Sequence, residues 1–103
     1  MTYTQQKAKR LTELLRHKLG NCRIRIYEQK DKFLLKYVAE RFLFDGENYE
    51  DIIVKVSMTK ERMCLLDIGT LYEVFYQTIV YYIDNENYET IPSKGDYYKW
   101  RNC

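Results

Sequence analysis

The chain has 103 residues, of which 46% are hydrophobic and 31% are charged. These proportions are typical of a globular protein, because disordered chains are poor in aromatic residues and strongly biased in net charge. A chain of this length supports one hydrophobic core, so we expect residues 1–103 to form a single domain. We expect a cytoplasmic protein, since we see neither a secretory signal nor an apolar stretch of membrane-spanning length.

The charges are unevenly distributed, although the net charge is only +2. Residues 1–26 carry a net charge of +6, and the rest of the chain carries −4. We therefore expect a basic end and an acidic end. Such a field steers a charged partner more than it stabilises a fold.

Three cysteines, Cys22, Cys64 and Cys103, are widely spaced and form no C-x-x-C pair. An odd number without paired spacing argues against a disulfide framework and against a zinc site. We expect reduced thiols, no metal and no cofactor.

The opening stretch, residues 1–21, is predicted to be a basic amphipathic helix. Thr2 and Gln5 have the spacing of a capping box, Thr4 is an alternative cap, and Gly20 with Asn21 supplies a left-handed stop. Apolar residues recur at helical spacing at Ala8, Leu11, Leu14, Leu15 and Leu19. Residues 22–28 then alternate between apolar and polar, which predicts a half-buried strand.

The middle of the chain is predicted to be mainly β-structure. Residues 33–44 suit a strand with a bulge near Ala39, but their spacing also fits a helix capped by Asp31, and we favour the strand. Asp45-Gly46 is a hairpin turn signal, and residues 49–58, which include several β-branched side chains, suit the returning strand. Residues 63–68 form a short apolar run, which predicts a further strand buried on both faces.

Residues 71–84 are predicted to be a second helix, because Thr70 and Glu73 have capping-box spacing and apolar residues follow at three- and four-residue steps. A strand is the weaker alternative. The tail is loop-like around Ile91-Pro92, with a possible short strand at residues 97–100. The expected fold is therefore α+β, with an N-terminal helix, an antiparallel sheet of about four strands, and a second helix packed on the same face.

The predicted second helix is apolar on more of its circumference than one sheet can cover. A two-layer domain covers one side of a helix, so the remaining patch indicates an interface. We expect this patch to contact either a second copy of the chain in a homodimer or a protein target. The partner-binding residues predicted here are Tyr72, Tyr76, Val80 and Ile83.

No catalytic group emerges from the sequence. His17, the only histidine, stands between Arg16 and Lys18 on a helix face expected to be solvated. The carboxylates of residues 45–51 match no metal-binding loop, and the glycines stand singly rather than in a phosphate loop. The sequence therefore predicts no catalytic residue and no metal ligand, and we expect that the protein is not an enzyme.

Two groups of residues indicate binding. The first is a basic set that could neutralise phosphates of a nucleic acid. Its members are Lys7, Lys9, Arg10, Arg16, Lys18, Arg23 and Arg25. The second is the aromatic and basic tail, in which Tyr97 and Tyr98 are predicted to contact a protein partner.

The chain is short and rich in Tyr, Lys, Ile, Asn and Glu. In this general character it resembles small accessory proteins of phages and mobile elements, among them anti-CRISPR inhibitors. The resemblance implies a non-enzymatic binding protein that disables a host nucleoprotein, such as a CRISPR-Cas effector nuclease, by occupying its surface. The alternative is a nucleic-acid-binding accessory module that uses the basic N-terminal helix.

Overall fold

The computed structural model describes residues 2–42 and 49–92. In chain order the elements are α1 (Tyr3–Leu19), β1 (Arg25–Glu28), β2 (Lys32–Phe42), β3 (Tyr49–Thr59), α2 (Lys60–Leu65), α3 (Ile68–Asp84) and β4 (Glu89–Pro92). The four strands form one antiparallel sheet in the order β1-β2-β3-β4. The α+β fold expected from the sequence is confirmed.

Helix α1 begins and ends as its sequence predicts. The Thr2 hydroxyl accepts a hydrogen bond from the backbone N–H of Gln5, and the Gln5 side chain accepts one from the Thr2 backbone, which completes the capping box. Gly20 ends the helix in the left-handed conformation at φ 58°, which suits a residue without Cβ.

Strands β2 and β3 form a long hairpin with an unbroken register from Lys32 opposite Thr59 to Phe42 opposite Tyr49. The helical alternative for this stretch is wrong. The bulge expected near Ala39 is absent from these paired residues, because Ala39 lies directly opposite Ile52. The Asp45-Gly46 turn lies outside the described residues.

The strand predicted over residues 63–68 is wrong, because this stretch contains the end of helix α2. The Thr59 hydroxyl accepts a hydrogen bond from the backbone N–H of Arg62 and so caps the helix. Met63 is buried against the core, but Leu65 is exposed. An apolar run without alternation does not distinguish a strand from a short helix, and here the Thr59 cap favours the helix.

Helix α3 confirms the second predicted helix and starts earlier than expected. Asp67, rather than Thr70, is its N-cap, and the Asp67 carboxylate accepts a hydrogen bond from the backbone N–H of Thr70 at 2.7 Å. The strand alternative for residues 71–84 is wrong. Leu71, Phe75 and Ile79 form its buried stripe.

The stretch around Ile91-Pro92 was expected to be a loop and is instead strand β4. Its register places Ile91 opposite Asp51 and Glu89 opposite Ile53. All four residues of β4 are exposed, which explains why the sequence has no apolar alternation there. The short strand expected at residues 97–100 lies outside the described residues.

The helices cover one face of the sheet, which we call the inner face, as the sequence predicts for both long helices. Leu11 and Leu15 of α1 and Phe75 of α3 are fully buried against it. The inner-face residues that share this core are Ile24, Phe33, Leu35, Val54, Val56 and Met58. We call the opposite side of the sheet the outer face.

Two cysteines lie among the described residues. Cys64 is a free, exposed thiol. Cys22 is disulfide-bonded, so the expectation of reduced thiols is wrong for this residue. Within residues 2–42 and 49–92, none of the helices has the length and apolar character needed to cross a membrane.

Candidate binding surfaces

Lys7 belongs to the predicted basic set but lies inside the protein. Its side chain is 7% exposed, and its ammonium group donates hydrogen bonds to the carbonyl oxygens of Met63, Cys64 and Leu66 at 2.7 to 3.1 Å. These carbonyls end helix α2 and have no partner within that helix. The assignment of Lys7 to a solvent-facing nucleic-acid surface is therefore wrong.

Two further basic residues of the set bond to the protein itself. The Arg16 guanidinium donates to the carbonyl oxygen of Ile24 at 3.0 Å. Arg23 forms a two-pronged pair with the buried Asp51 carboxylate, at 3.1 and 2.9 Å. Both side chains hold the entry to strand β1, so much of their charge is directed toward internal partners.

The remaining members of the basic set reach solvent. Lys9, Arg10 and Lys18 are exposed on α1, and Arg25 is exposed on β1. Arg10 lies 3.8 Å from Glu13, and Lys18 lies 5.4 Å from the ring centre of Tyr76. These four residues, not the original seven, are the accessible basic side chains of the predicted set.

The outer face of the sheet carries a row of basic residues that the sequence did not reveal. Arg25 lies opposite Lys36, and Lys36 lies opposite Lys55, so three like charges stand side by side on neighbouring strands. We call these three residues the basic row. Cross-strand neighbours have Cβ atoms roughly 5 Å apart, and like charges in such positions destabilise a sheet.

An exposed aromatic side chain, Tyr27, lies beside the basic row on the same outer face. Ile91 is also exposed on this face but lies opposite Asp51, at the far end. The far end of this face is covered in part, where Asn21 donates to the carbonyl of Val38 and Arg23 pairs with Asp51. The outer face therefore combines a basic and aromatic half, in which Lys36 is half-buried and its neighbours are exposed, with a half that is covered in part.

The predicted partner-binding residues of α3, which are Tyr72, Tyr76, Val80 and Ile83, are all half-buried. The Tyr72 and Tyr76 rings stack with their centres 6.3 Å apart. A small hollow lined by Leu14 and Lys18 of α1 and by Tyr72 lies between the helices. The chain's own α1 thus covers part of the side that we expected another molecule to cover, and Tyr81 is the exposed aromatic residue of α3.

The remaining candidates are the single histidine, the acidic residues considered as metal ligands, and the tail. His17 is exposed and lines the hollow between α1 and α3. Among residues 2–42 and 49–92, no group of three or more His, Cys, Asp or Glu side chains is placed to hold a metal ion. The tail residues Tyr97 and Tyr98 lie outside the described part of the chain.

The basic row is not evident from the sequence, because it depends on how separate strands pair. Lys36 and Lys55 are isolated basic residues within predicted strands, and only the register of the hairpin places them opposite each other. Lys7 was detectable in principle, because it lies one helical turn before Leu11 and two turns before Leu15.

Comparison with known proteins finds no relative of this chain. No protein family, curated protein or solved structure matches the chain.

Proposed function

We propose that this chain is a small non-enzymatic binding protein that inhibits a host nucleoprotein, such as a CRISPR-Cas effector nuclease, in the cytoplasm. The observation that carries the proposal is the basic row, Arg25, Lys36 and Lys55, on the basic and aromatic half of the outer face. Nucleoproteins present phosphate groups at their surfaces, and Lys and Arg side chains bind phosphate groups.

The charge of the basic row is available to a partner. Lys55 lies 3.5 Å from Glu89, and this is an exposed ion pair of the kind that contributes little. Within the described residues, Arg25 and Lys36 have no carboxylate within ion-pair distance. An anionic partner surface would relieve the repulsion between these three side chains. This relief adds to the attraction between opposite charges and favours binding.

Aromatic side chains provide the protein-contacting part of the proposed surface. Exposed Tyr27 lies beside Arg25 in β1, and Tyr and Arg are enriched at protein interfaces. Tyr72, Tyr76, Val80 and Ile83 remain a proposed second contact, through docking on the target or through a homodimer. The proposed contacts Tyr97 and Tyr98 belong to the same hypothesis.

A nuclease-inhibition assay tests the proposal directly. A panel of purified CRISPR effector nucleases loaded with guide RNA is assayed for target cleavage with and without this protein. We expect at least one effector to be inhibited, and we expect the double variant Lys36→Glu with Lys55→Glu to lose that inhibition. The matched control is Lys30→Glu, an exposed lysine in the β1–β2 turn. Failure to inhibit any effector would reject the CRISPR assignment.

Direct nucleic-acid binding is the second candidate, favoured by exposed Lys9 and Arg10 on α1 together with Arg25. Binding to naked single-stranded RNA and duplex DNA, measured over a range of salt concentrations, separates the two candidates. Counterion release makes phosphate binding fall steeply with salt, whereas a protein interface responds weakly. Tight, salt-sensitive binding to naked nucleic acid without inhibition of a nuclease would favour this second candidate.

A further inference from the structure

Among the described residues, strand β1 forms one edge of the sheet, and its hydrogen-bond pattern identifies the backbone groups that point outward. The Gln29 N–H donates to the Lys32 carbonyl at 2.8 Å, and these two residues continue the β1–β2 register. In an antiparallel ladder, hydrogen-bonded pairs alternate with pairs whose backbone groups point away. Tyr27 and Arg25 therefore bond to β2, whereas Ile26 and Glu28 direct their N–H and C=O groups outward.

A second contact confirms this alternation. By the same count the Ile24 carbonyl also points outward, and it accepts a hydrogen bond from Arg16 of α1. Within the described residues, the backbone N–H and C=O groups of Ile26 and Glu28 have no such partner. An edge strand with unpaired backbone groups is a template for one more strand.

Helix α1 runs beside this edge and forms a groove with it. At one end the Gln5 amide donates to the Glu28 carboxylate at 2.8 Å, which lowers the pKa of Glu28. At the other end Arg16 bonds to Ile24. Between these two bridges lies a groove of about 440 Å³, with Ala8, Ile26 and Phe33 among its lining residues.

The dimensions of the groove suit a short extended peptide. From Gln5 to Arg16 the helix rises about 16 Å at roughly 1.5 Å per residue. An extended chain rises roughly 3.3 Å per residue, so about five residues span that length. The volume is also within the usual range for binding pockets.

The charges beside the groove specify the peptide further. Lys9 lines the helix side and Arg25 the strand side, both exposed and without an ion pair among the described residues. The acidic lining residues already have partners, because Glu13 lies near Arg10 and Glu28 bonds to Gln5 and Lys60. Side chains of an added strand alternate between the two faces of the sheet. One set would meet the apolar groove floor at Ile26 and Phe33, and the other would lie beside Arg25.

We propose that the groove between α1 and β1 binds an extended peptide segment of a protein partner, which adds to β1 as a fifth strand. The segment alternates small apolar side chains, which contact the groove floor on the helix side, with acidic side chains, which lie beside Arg25 on the other side. The positive charge of Lys9 attracts the same acidic segment from the helix. Backbone hydrogen bonds to Ile26 and Glu28 provide affinity, and the alternating side chains provide specificity.

Selection from a display library of random linear peptides on the intact protein tests this proposal. Selected peptides are expected to alternate apolar and acidic residues. In NMR spectra of the protein, saturation with a selected peptide is expected to shift the Ile26 and Glu28 amide signals and to slow their hydrogen exchange. Peptides that shift other regions and leave these two amides unchanged would overturn the proposal.

Two variants examine the mechanism of binding. Glu28→Pro removes an outward N–H, and Glu28→Ala, which also lacks the carboxylate that bonds to Gln5, is its control. Glu28→Pro is expected to bind the selected peptide at least about tenfold more weakly than Glu28→Ala, the equivalent of one well-formed hydrogen bond. Tyr27→Pro removes an N–H that bonds to β2, so it should lower the melting temperature instead. Equal peptide affinity of Glu28→Ala and Glu28→Pro would overturn the proposal.

Charge reversal separates this groove from the outer-face function. Lys9 lines the groove and not the basic row, whereas Lys55 belongs to the row and not to the groove. Lys9→Glu should weaken the peptide at least about tenfold while Lys55→Glu leaves its affinity unchanged. The opposite result would overturn the groove proposal. Concentration-dependent protection of the Ile26 and Glu28 amides without peptide would show that a second copy, not a partner peptide, occupies the edge.

Discussion

The ammonium nitrogen of Lys7 lies 2.7 Å from the carbonyl oxygen of Leu66, and the same group bonds to two further carbonyls at the end of α2. One side chain thus replaces the missing helical partners of α2 and fixes this helix to α1. A cation at a helix C-terminus also interacts favourably with the helix dipole. Lys7 is therefore part of the architecture, although its neighbours Lys9 and Arg10 face solvent.

Replacing Lys7 with Met should lower the free energy of unfolding by about 2–3 kcal/mol, because three carbonyl oxygens lose a charged donor in a buried site. Lys9→Met is the matched control and should change it by less than about 0.5 kcal/mol, since Lys9 is exposed. Urea denaturation of both variants measures the difference. Equal stabilities would show that water replaces the ammonium group without cost.

Replacing Lys36 with Glu should stabilise the protein, which is unusual for a substitution within a sheet. The new carboxylate would lie opposite both Arg25 and Lys55 and would convert two like-charge neighbours into opposite-charge pairs. A gain of roughly 0.2–1 kcal/mol per pair is expected and should shrink at high salt. Thermal denaturation at low and high salt measures it. A more stable protein with weaker partner binding would separate the role of Lys36 in binding from its effect on folding.

Asp67 should make the stability of the protein depend on pH in acidic solution. Its carboxylate accepts hydrogen bonds from the side chain and backbone of Thr70, which lower the pKa of Asp67. Because the folded pKa is below the unfolded one, the ionised carboxylate stabilises the fold above the unfolded pKa, and this contribution is lost as pH falls through the folded pKa. Asp67→Asn keeps a good N-cap residue and should lose only the pH-dependent part.

Melting temperatures measured from neutral to acidic pH provide the test for Asp67. The wild type should be more stable than Asp67→Asn near neutral pH, and the two curves should converge in acid. Asp84→Asn, at the opposite end of α3, should not reproduce the neutral-pH loss, because a carboxylate at a helix C-terminus is unfavourable. Parallel curves for wild type and Asp67→Asn at all pH values would contradict the prediction.

Two tyrosines of α3 should respond differently to replacement by Glu. Tyr81 is 61% exposed, so Tyr81→Glu should leave the fold intact. Tyr76 is half-buried, and its ring lies beside the Tyr72 ring and close to the Lys18 ammonium group. Tyr76→Glu should therefore lower the melting temperature. Sedimentation velocity on the same samples would also show whether the proposed homodimer forms. If Tyr76→Glu were as stable as wild type, the packing of α1 against α3 would not depend on this ring.

The elements with strong periodicity or a clear cap were predictable from the sequence. Thr2, Gln5 and Gly20 determine the ends of α1 through local contacts, and the apolar steps of α3 reflect one buried stripe. Residues 63–68 were not predictable, because the cap at Thr59 lies outside the apolar run. Strand β4 is exposed throughout, so its sequence has no signal, and only its pairing with β3 defines it.

The candidate sites were less predictable than the fold because they depend on contacts distant in sequence. Lys7 and Leu66 are far apart along the chain, and so are Arg23 and Asp51. Solvent exposure could therefore be predicted only for those basic residues whose neighbours are local, such as Lys9 and Arg10. The groove beside β1 depends on the phase of the backbone ladder, which side-chain patterns do not show.

The two edges of the sheet differ in a way that limits self-assembly. Continuing the ladder across β3 directs Thr90 and Pro92 of β4 outward, and Pro92 has no N–H to donate. A filament of stacked sheets requires every copy to join through both edges, but among the described residues the β4 edge lacks one of its outward donors. Addition at β1, whether of a peptide or of a second copy, therefore does not continue through β4, and concentrated protein should resist forming fibres.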